Sequence, residues 1–226
     1  MSIWSRMAEA IAALEKGEGL SAVFDKLRAS PDKTVAFAIA VIALGAKMAK
    51  ADGQVTKDEV VAFREVFLIP PEEEANAARV FNLARQDVAG FDLYARRIKA
   101  MYAEDDAPLC DLLEGLFHIA MADGQSHQNE GAFLRDVATI FGFDDRRFRG
   151  IRAQFVTDAD RDPYDVLGVE PDASLEVARA AWRRLVRESH PDQMIARGVP
   201  EEAVKLAERR MVAINRAWEE IQRSAA

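Results

Sequence analysis

The residues best suited to recognition chemistry lie between positions 179 and 192. Arg179, Arg183 and Arg187 recur every fourth residue, with Arg184 beside them, and Ser189-His190-Pro191-Asp192 follows. On a helix, a four-residue spacing stacks side chains on one face. The row therefore predicts a basic ridge that suits an acidic surface. Pro191 disfavours helical geometry at His190, so a loop is expected there, carrying an imidazole and a carboxylate. A carboxylate held on a stiff turn suits a charge-assisted pair with a guanidinium on another molecule.

A second constellation is repeated. Ala51-Asp52-Gly53-Gln54 recurs 71 residues later as Ala122-Asp123-Gly124-Gln125, and each Asp precedes a Glu by seven residues: Asp52 with Glu59, and Asp123 with Glu130. The matched context argues for a duplicated helical unit. Two readings stay open. Gly53 and Gly124 can end a helix in the left-handed conformation, and Thr56 with Glu59 has the spacing of a capping box. Alternatively, the carboxylates of Asp52, Glu59, Asp123 and Glu130 converge at helix corners as ligands for a hard cation. The run from Asp52 is not a twelve-residue calcium loop, because Phe63 stands where the bidentate Glu belongs.

The remaining candidates for chemistry are weak. Cys110 is the single cysteine, with no His or acidic partner expected close by, and His118 falls in an apolar helix. No Gly-rich loop could cradle a phosphate. An enzyme is therefore not expected. One cysteine excludes an internal disulfide or a Cys-based zinc site and fits a reducing, cytoplasmic setting. The 226 residues carry a net charge of −8, which argues against a nucleic-acid binder.

The elements that must position these groups read as helices throughout, because Ala, Leu, Glu, Arg and Met dominate and no long stretch alternates. Helices are predicted near 3–16, 20–28, 32–50, 57–68, 72–86, 90–102, 107–121, 128–141 and 145–155. The apolar run 35–46 is too short to span a bilayer and predicts a helix buried on all sides. Residues 3–15 place Ile3, Trp4, Met7, Ile11 and Leu14 on one side, a face expected to dock on the parent domain. Membrane contact is a weaker reading, since the segment lacks a Lys/Arg cluster. The polar stretch 157–161, ahead of Pro163, reads as a linker. The expected organisation is an N-terminal helical segment (1–29), an all-α domain (30–156), the linker, and a small C-terminal domain (162–226).

In that last unit, Asp162 should cap a short helix opened by Pro163, and Ser174 a second helix at 175–189. A third helix at 200–223 carries Val204, Ala207, Met211, Ile214, Ala217, Trp218 and Ile221 on one stripe. That stripe is expected to pack antiparallel on the second helix.

The paired Ala-Asp-Gly motifs in a helical context resemble the TerB-like domain over roughly residues 30–155. The resemblance implies an all-α bundle and divalent-metal affinity at the four carboxylates. The opening Asp162-Pro-Tyr-Asp-Val-Leu-Gly-Val169, the basic helix, His190-Pro191-Asp192 and the closing Ile214-Asn-Arg-Ala-Trp-Glu-Glu-Ile221 resemble the J domain over 162–226. The whole is therefore expected to be a TerB-like helical bundle with a pseudo-repeat, followed by an antiparallel helical hairpin. Their order, with the long insert after Asp192, resembles the DjlA group of bacterial DnaJ-like co-chaperones.

This resemblance implies binding to a DnaK-type chaperone ATPase and stimulation of its hydrolysis, with no cofactor required. His190, Pro191, Asp192, Arg179, Arg183, Arg184 and Arg187 would form the contact. The helical domain would supply specificity for unfolded or particular client proteins, or for location. Three positions depart from the J pattern: Gln193 replaces a basic residue, Trp182 a Tyr, and Ser189 an aromatic or His. The group's N-terminal membrane segment is not visible, so anchoring is not carried over. The alternative is a metal-responsive stress adaptor acting through the TerB-like domain.

Overall fold

A computed structural model of the chain describes residues 3–12, 22–24, 33–52, 61, 69, 71–86, 90–102, 105–122, 128–155, 161–200 and 205–225. All regular elements among these residues are helices. The centre is α2 (Lys33–Asp52), whose residues from Val35 to Ala49 are all buried. A helix apolar on every side needs neighbours on every side, and α2 has them. It is packed by α1 (Ile3–Ala12), α3 (Glu74–Gln86), α4 (Phe91–Met101), α5 (Ala107–Ala120) and α6 (Gln128–Phe141). The apolar run is thus a core helix, and no described helix is long and apolar enough to cross a membrane. Ile3, Trp4, Met7 and Ile11 of α1 are buried in the same core, as the stripe on that segment predicts. Much of the helices expected at 20–28 and 57–68 lies outside the described residues.

Local chemistry sets the boundaries further on. Asp144 opens α7 (Asp145–Arg152) by accepting from the Arg147 amide at 2.8 Å. Asp162 caps α8 (Pro163–Leu167) through the Tyr164 amide at 2.8 Å, and Gly168 closes it in the left-handed region at φ 66°. Ser174 caps α9 (Leu175–Glu188) through the Val177 amide at 3.3 Å. Each cap satisfies an amide that the helix leaves without an internal partner.

α9 and α11 (Lys205–Ser224) pair as a hairpin, with α8 against both. Trp182 donates its indole N–H to Asn215 Oδ1 at 2.9 Å and stacks on Trp218, ring centres 5.6 Å apart. Nearer the end of α9, Leu185 and Ser189 share a cleft with Ile214 and Arg210. Rising numbers on one helix meet falling numbers on the other, so the pair is antiparallel. An indole in place of a phenol is accommodated because its N–H finds this amide oxygen.

Two expectations for this region need correction. Pro191 does not simply break the chain: it is the first residue of a short helix, α10 (Pro191–Ala196), capped by His190. Proline is at home there, since the first helical amide has no internal partner. The stripe on the third helix also divides. Ile214, Ala217, Trp218 and Ile221 bury into the hairpin core, whereas Leu206 and Ala207, with Met194 and Val199 of the insert, bury into the core around α2.

Close backbone approach makes the joint tight. A Cβ on Gly150 would lie 2.7 Å from the Asp165 carbonyl oxygen. Gly198, at φ 97°, packs so near Lys33 that a Cβ would meet that residue's Cβ at 2.5 Å. Both positions tolerate only glycine without movement.

Because Leu206 bridges the two units, its truncation tests their coupling. Leu206→Ala should cost about 2–5 kcal/mol. It should lower the denaturation midpoints of tryptophan fluorescence and far-ultraviolet dichroism together. A midpoint unchanged within error would show that this contact does not support the joint.

Candidate functional site

The corner between α9 and α10 places its polar groups outward. His190 and Asp192 side chains are 58% and 84% exposed. The Asp192 backbone amide donates to His190 Nδ1 at 3.2 Å. A lone pair at Nδ1 puts the ring proton on Nε2, so a neutral His190 points a donor to solvent. Asp192 Oδ2 stands 3.6 Å from the same Nδ1. No Lys or Arg among the described residues pairs with Asp192. The expected trio is therefore together, with His190 and Asp192 exposed and Pro191 half-buried, and it is stiffened by a helix start rather than by an open loop.

The arginine ridge also forms. Arg179, Arg183, Arg184 and Arg187 are all exposed on α9, and the row from Arg179 to Arg187 runs about 12 Å along the axis. Arg184 pairs with Glu188 at 3.3 Å. Arg179, Arg183 and Arg187 have no carboxylate partner among the described residues. By contrast, three arginines of α7 are each matched: Arg146 with Glu170, Arg147 with Asp106, and Arg149 with Asp165. Three arginines without carboxylate partners thus line α9, the helix that leads to His190.

Of the four carboxylates read as a cation set, only Glu130 has a described side chain. It is buried, on α6. The side chain of Asp52, and all of Glu59 and Asp123, lie outside the described residues. No group of three His, Cys, Asp or Glu that could hold a metal occurs among the described residues.

A cluster that sequence reasoning missed lies behind the corner. Asp111 and Glu114 are buried on the otherwise apolar α5. Arg210 of α11 reaches both, with Nη2 at 2.6 Å from Asp111 Oδ1 and Nε at 2.7 Å from Glu114 Oε2. Arg197 forks onto Asp111 at 3.0 and 3.3 Å. Two carboxylates thus face two guanidiniums. Burial alone would depress the Arg210 guanidinium, but Glu114 and Asp111 more than offset it and hold the group cationic. Burial, reinforced by Asp111, pushes the Glu114 carboxyl up against the pull of Arg210. The signal available in sequence was the interruption of two apolar stripes, at Asp111 and Glu114 on one helix and at Arg210 on another.

The two side residues resolve as well. Cys110 does have an acidic neighbour, Glu114 one turn on, with Sγ 3.9 Å from Oε1. Burial first, and Glu114 next, push the thiol up to about 12. His118 is half-buried at the helix edge, 2.9 Å through Nε2 from Arg209 Nη1.

Removing one member of the buried cluster strands the others. Arg210→Met should destabilise the chain by about 3–5 kcal/mol, read as a lower midpoint in urea. An unchanged midpoint would mean that the Arg210 contacts do not support the fold. Cys110 should be alkylated by iodoacetamide at pH 8 more than about tenfold slower in the native chain than in urea, since thiolate is the nucleophile. Its raised value means the folded state resists ionisation, so stability is intact below the thiol's ordinary 9.0. That stability falls as pH rises from there toward about 12. Cys110→Ser should flatten that decline.

Comparison with known proteins agrees with this geometry. Residues 38–153 match the family described as Tellurite resistance protein TerB, and residues 162–225 match the DnaJ domain. The Co-chaperone protein DjlA of Photobacterium profundum is 28% identical over 224 residues, covering 86% of this chain and 79% of that protein. That of Coxiella burnetii is 28% identical over 196 residues, covering 78% and 73%. That of Vibrio cholerae serotype O1 is 27% identical over 208 residues, covering 78% and 73%. No solved structure matches the chain. With a TerB domain over half its length, the chain belongs to the TerB family, and it carries a DnaJ domain behind it and is similar over most of its length to proteins named DjlA.

Proposed function

We propose that the chain is a co-chaperone whose J domain docks on a DnaK-type chaperone and stimulates its ATP hydrolysis. The observation that carries this reading is the Asp192 carboxylate, 84% exposed at the start of α10 and without a Lys or Arg partner among the described residues. A carboxylate so presented can accept a forked pair from an arginine of the partner, an arrangement demanding in geometry. Pro191 holds the turn, and His190 offers an Nε2 donor beside it. The ridge of Arg179, Arg183, Arg184 and Arg187 meets an acidic surface. Being exposed and screened by salt, it sets encounter rate and orientation more than final affinity.

The chemistry of hydrolysis belongs to the partner on this reading, and the chain needs no cofactor of its own. The TerB domain supplies specificity, for unfolded or particular clients or for location. Similarity over most of the chain to proteins named as co-chaperones supports this reading over a metal-responsive adaptor.

Single-turnover hydrolysis by the cognate DnaK-type ATPase tests the reading. Wild type should accelerate it, and Asp192→Asn should abolish the acceleration with an unchanged melting temperature. Arg179→Ala with Arg183→Ala should raise the half-saturating concentration several-fold and flatten its salt dependence. Equal acceleration by wild type and Asp192→Asn would reject the corner as the acting group.

A further inference from the structure

Helices leave their last carbonyls without internal partners. At the end of α9 one of these, the Glu188 carbonyl, accepts from Arg197 Nη1 at 3.0 Å. The other arm of the same guanidinium, Nη2, holds both oxygens of Asp111 on α5, at 3.0 and 3.3 Å. Asp111 is fully buried and Arg197 side-chain exposure is 14%. Arg197 is also the residue that closes α10, its backbone amide donating to the Gln193 and Met194 carbonyls at 3.2 and 3.1 Å. One residue therefore ties together the end of the arginine helix, the end of the short helix that carries Asp192, and the core of the TerB domain.

The neighbouring contacts point the same way. α10 has six residues, too few to be stable as an isolated helix. It is seated by Met194, fully buried in the core around α2, and by Val199 just beyond it. Gly198 lies against Lys33 at the start of α2. The corner thus has one exposed side and one side clamped to the TerB domain.

We propose that Arg197 and Asp111 are positioning residues for His190-Pro191-Asp192, so that the TerB domain fixes the direction in which the J domain presents its carboxylate. This rests on the co-chaperone reading above and assigns the TerB domain a part in partner activation beyond specificity. The arginine ridge on α9 does not depend on this clamp, because it belongs to the hairpin held by Trp182 and Trp218. Encounter with the partner should therefore survive loss of the clamp, while productive engagement of Asp192 should not.

The test is single-turnover hydrolysis by the cognate DnaK-type ATPase, titrated with the full chain. Arg197→Lys keeps the charge but cannot reach Glu188 and Asp111 at once. Asp111→Asn keeps the shape but loses the charge-assisted fork. Both should lower maximal stimulation about fivefold or more while changing the half-saturating concentration less than about twofold. Hydrogen exchange at residues 189–197 should quicken, with the hairpin around Trp182 and Trp218 unchanged. Arg146→Gln breaks a pair across the same joint without touching the corner and should stimulate as wild type does. If Asp111→Asn does not fold, Arg197→Lys carries the test alone. Folded Arg197→Lys with full maximal stimulation overturns this inference while leaving the co-chaperone reading intact. A wild-type chain that gives no stimulation overturns both.

Discussion

Charge neutralisation inside one apolar helix organises the molecule. α5 buries nearly its whole length, yet it carries Asp111 and Glu114 with exposures of 0% and 2%. Carboxylates so deep are costly unless paired and hydrogen-bonded. Their counter-charges come from the far end of the chain, from Arg197 and Arg210. The C-terminal unit is therefore not a bead on a string. Its insert and the start of α11 complete the core of the TerB domain, and its arginines satisfy that domain's acids. Arg210→Met and Leu206→Ala probe the polar and apolar halves of this one joint.

The fold was legible wherever the determinant was local. The caps at Asp162 and Ser174, the buried stripe of α1 and the all-round burial of α2 follow from residue type and spacing within a few turns. So did the exposed arginine row, since a four-residue period needs no knowledge of neighbours. The corner was legible as a motif but not in its form. Pro191 is compatible both with a break and with a first helical residue, and only the cap made by His190 decides between them.

What was not legible was non-local. A stripe such as Ala207, Met211, Ile214 says that a face is buried but not against what, and the face divides between two cores. The pairing of Asp111 with Arg210 spans 99 residues and has no local signature beyond two interrupted apolar patterns. The cation reading of Asp52, Glu59, Asp123 and Glu130 rests on residues mostly outside those described. Glu114 beside Cys110 was readable, being one turn away.

These constraints leave α9 with unspent charge among the described residues. Of the four arginines of α7, Arg146, Arg147 and Arg149 are matched by carboxylates, whereas Arg179, Arg183 and Arg187 of α9 have no carboxylate partner among the described residues. Beside that positive ridge stands the exposed Asp192 carboxylate on a clamped turn. An arginine helix without carboxylate partners for these three among the described residues, leading to an exposed carboxylate, is arranged for another molecule. The most direct measurement is hydrogen exchange of the chain with and without the DnaK-type ATPase bound. Protection should appear on residues 179–193 and leave α1 to α4 unchanged. Protection centred on α1 to α4, with 179–193 unaffected, would contradict the account.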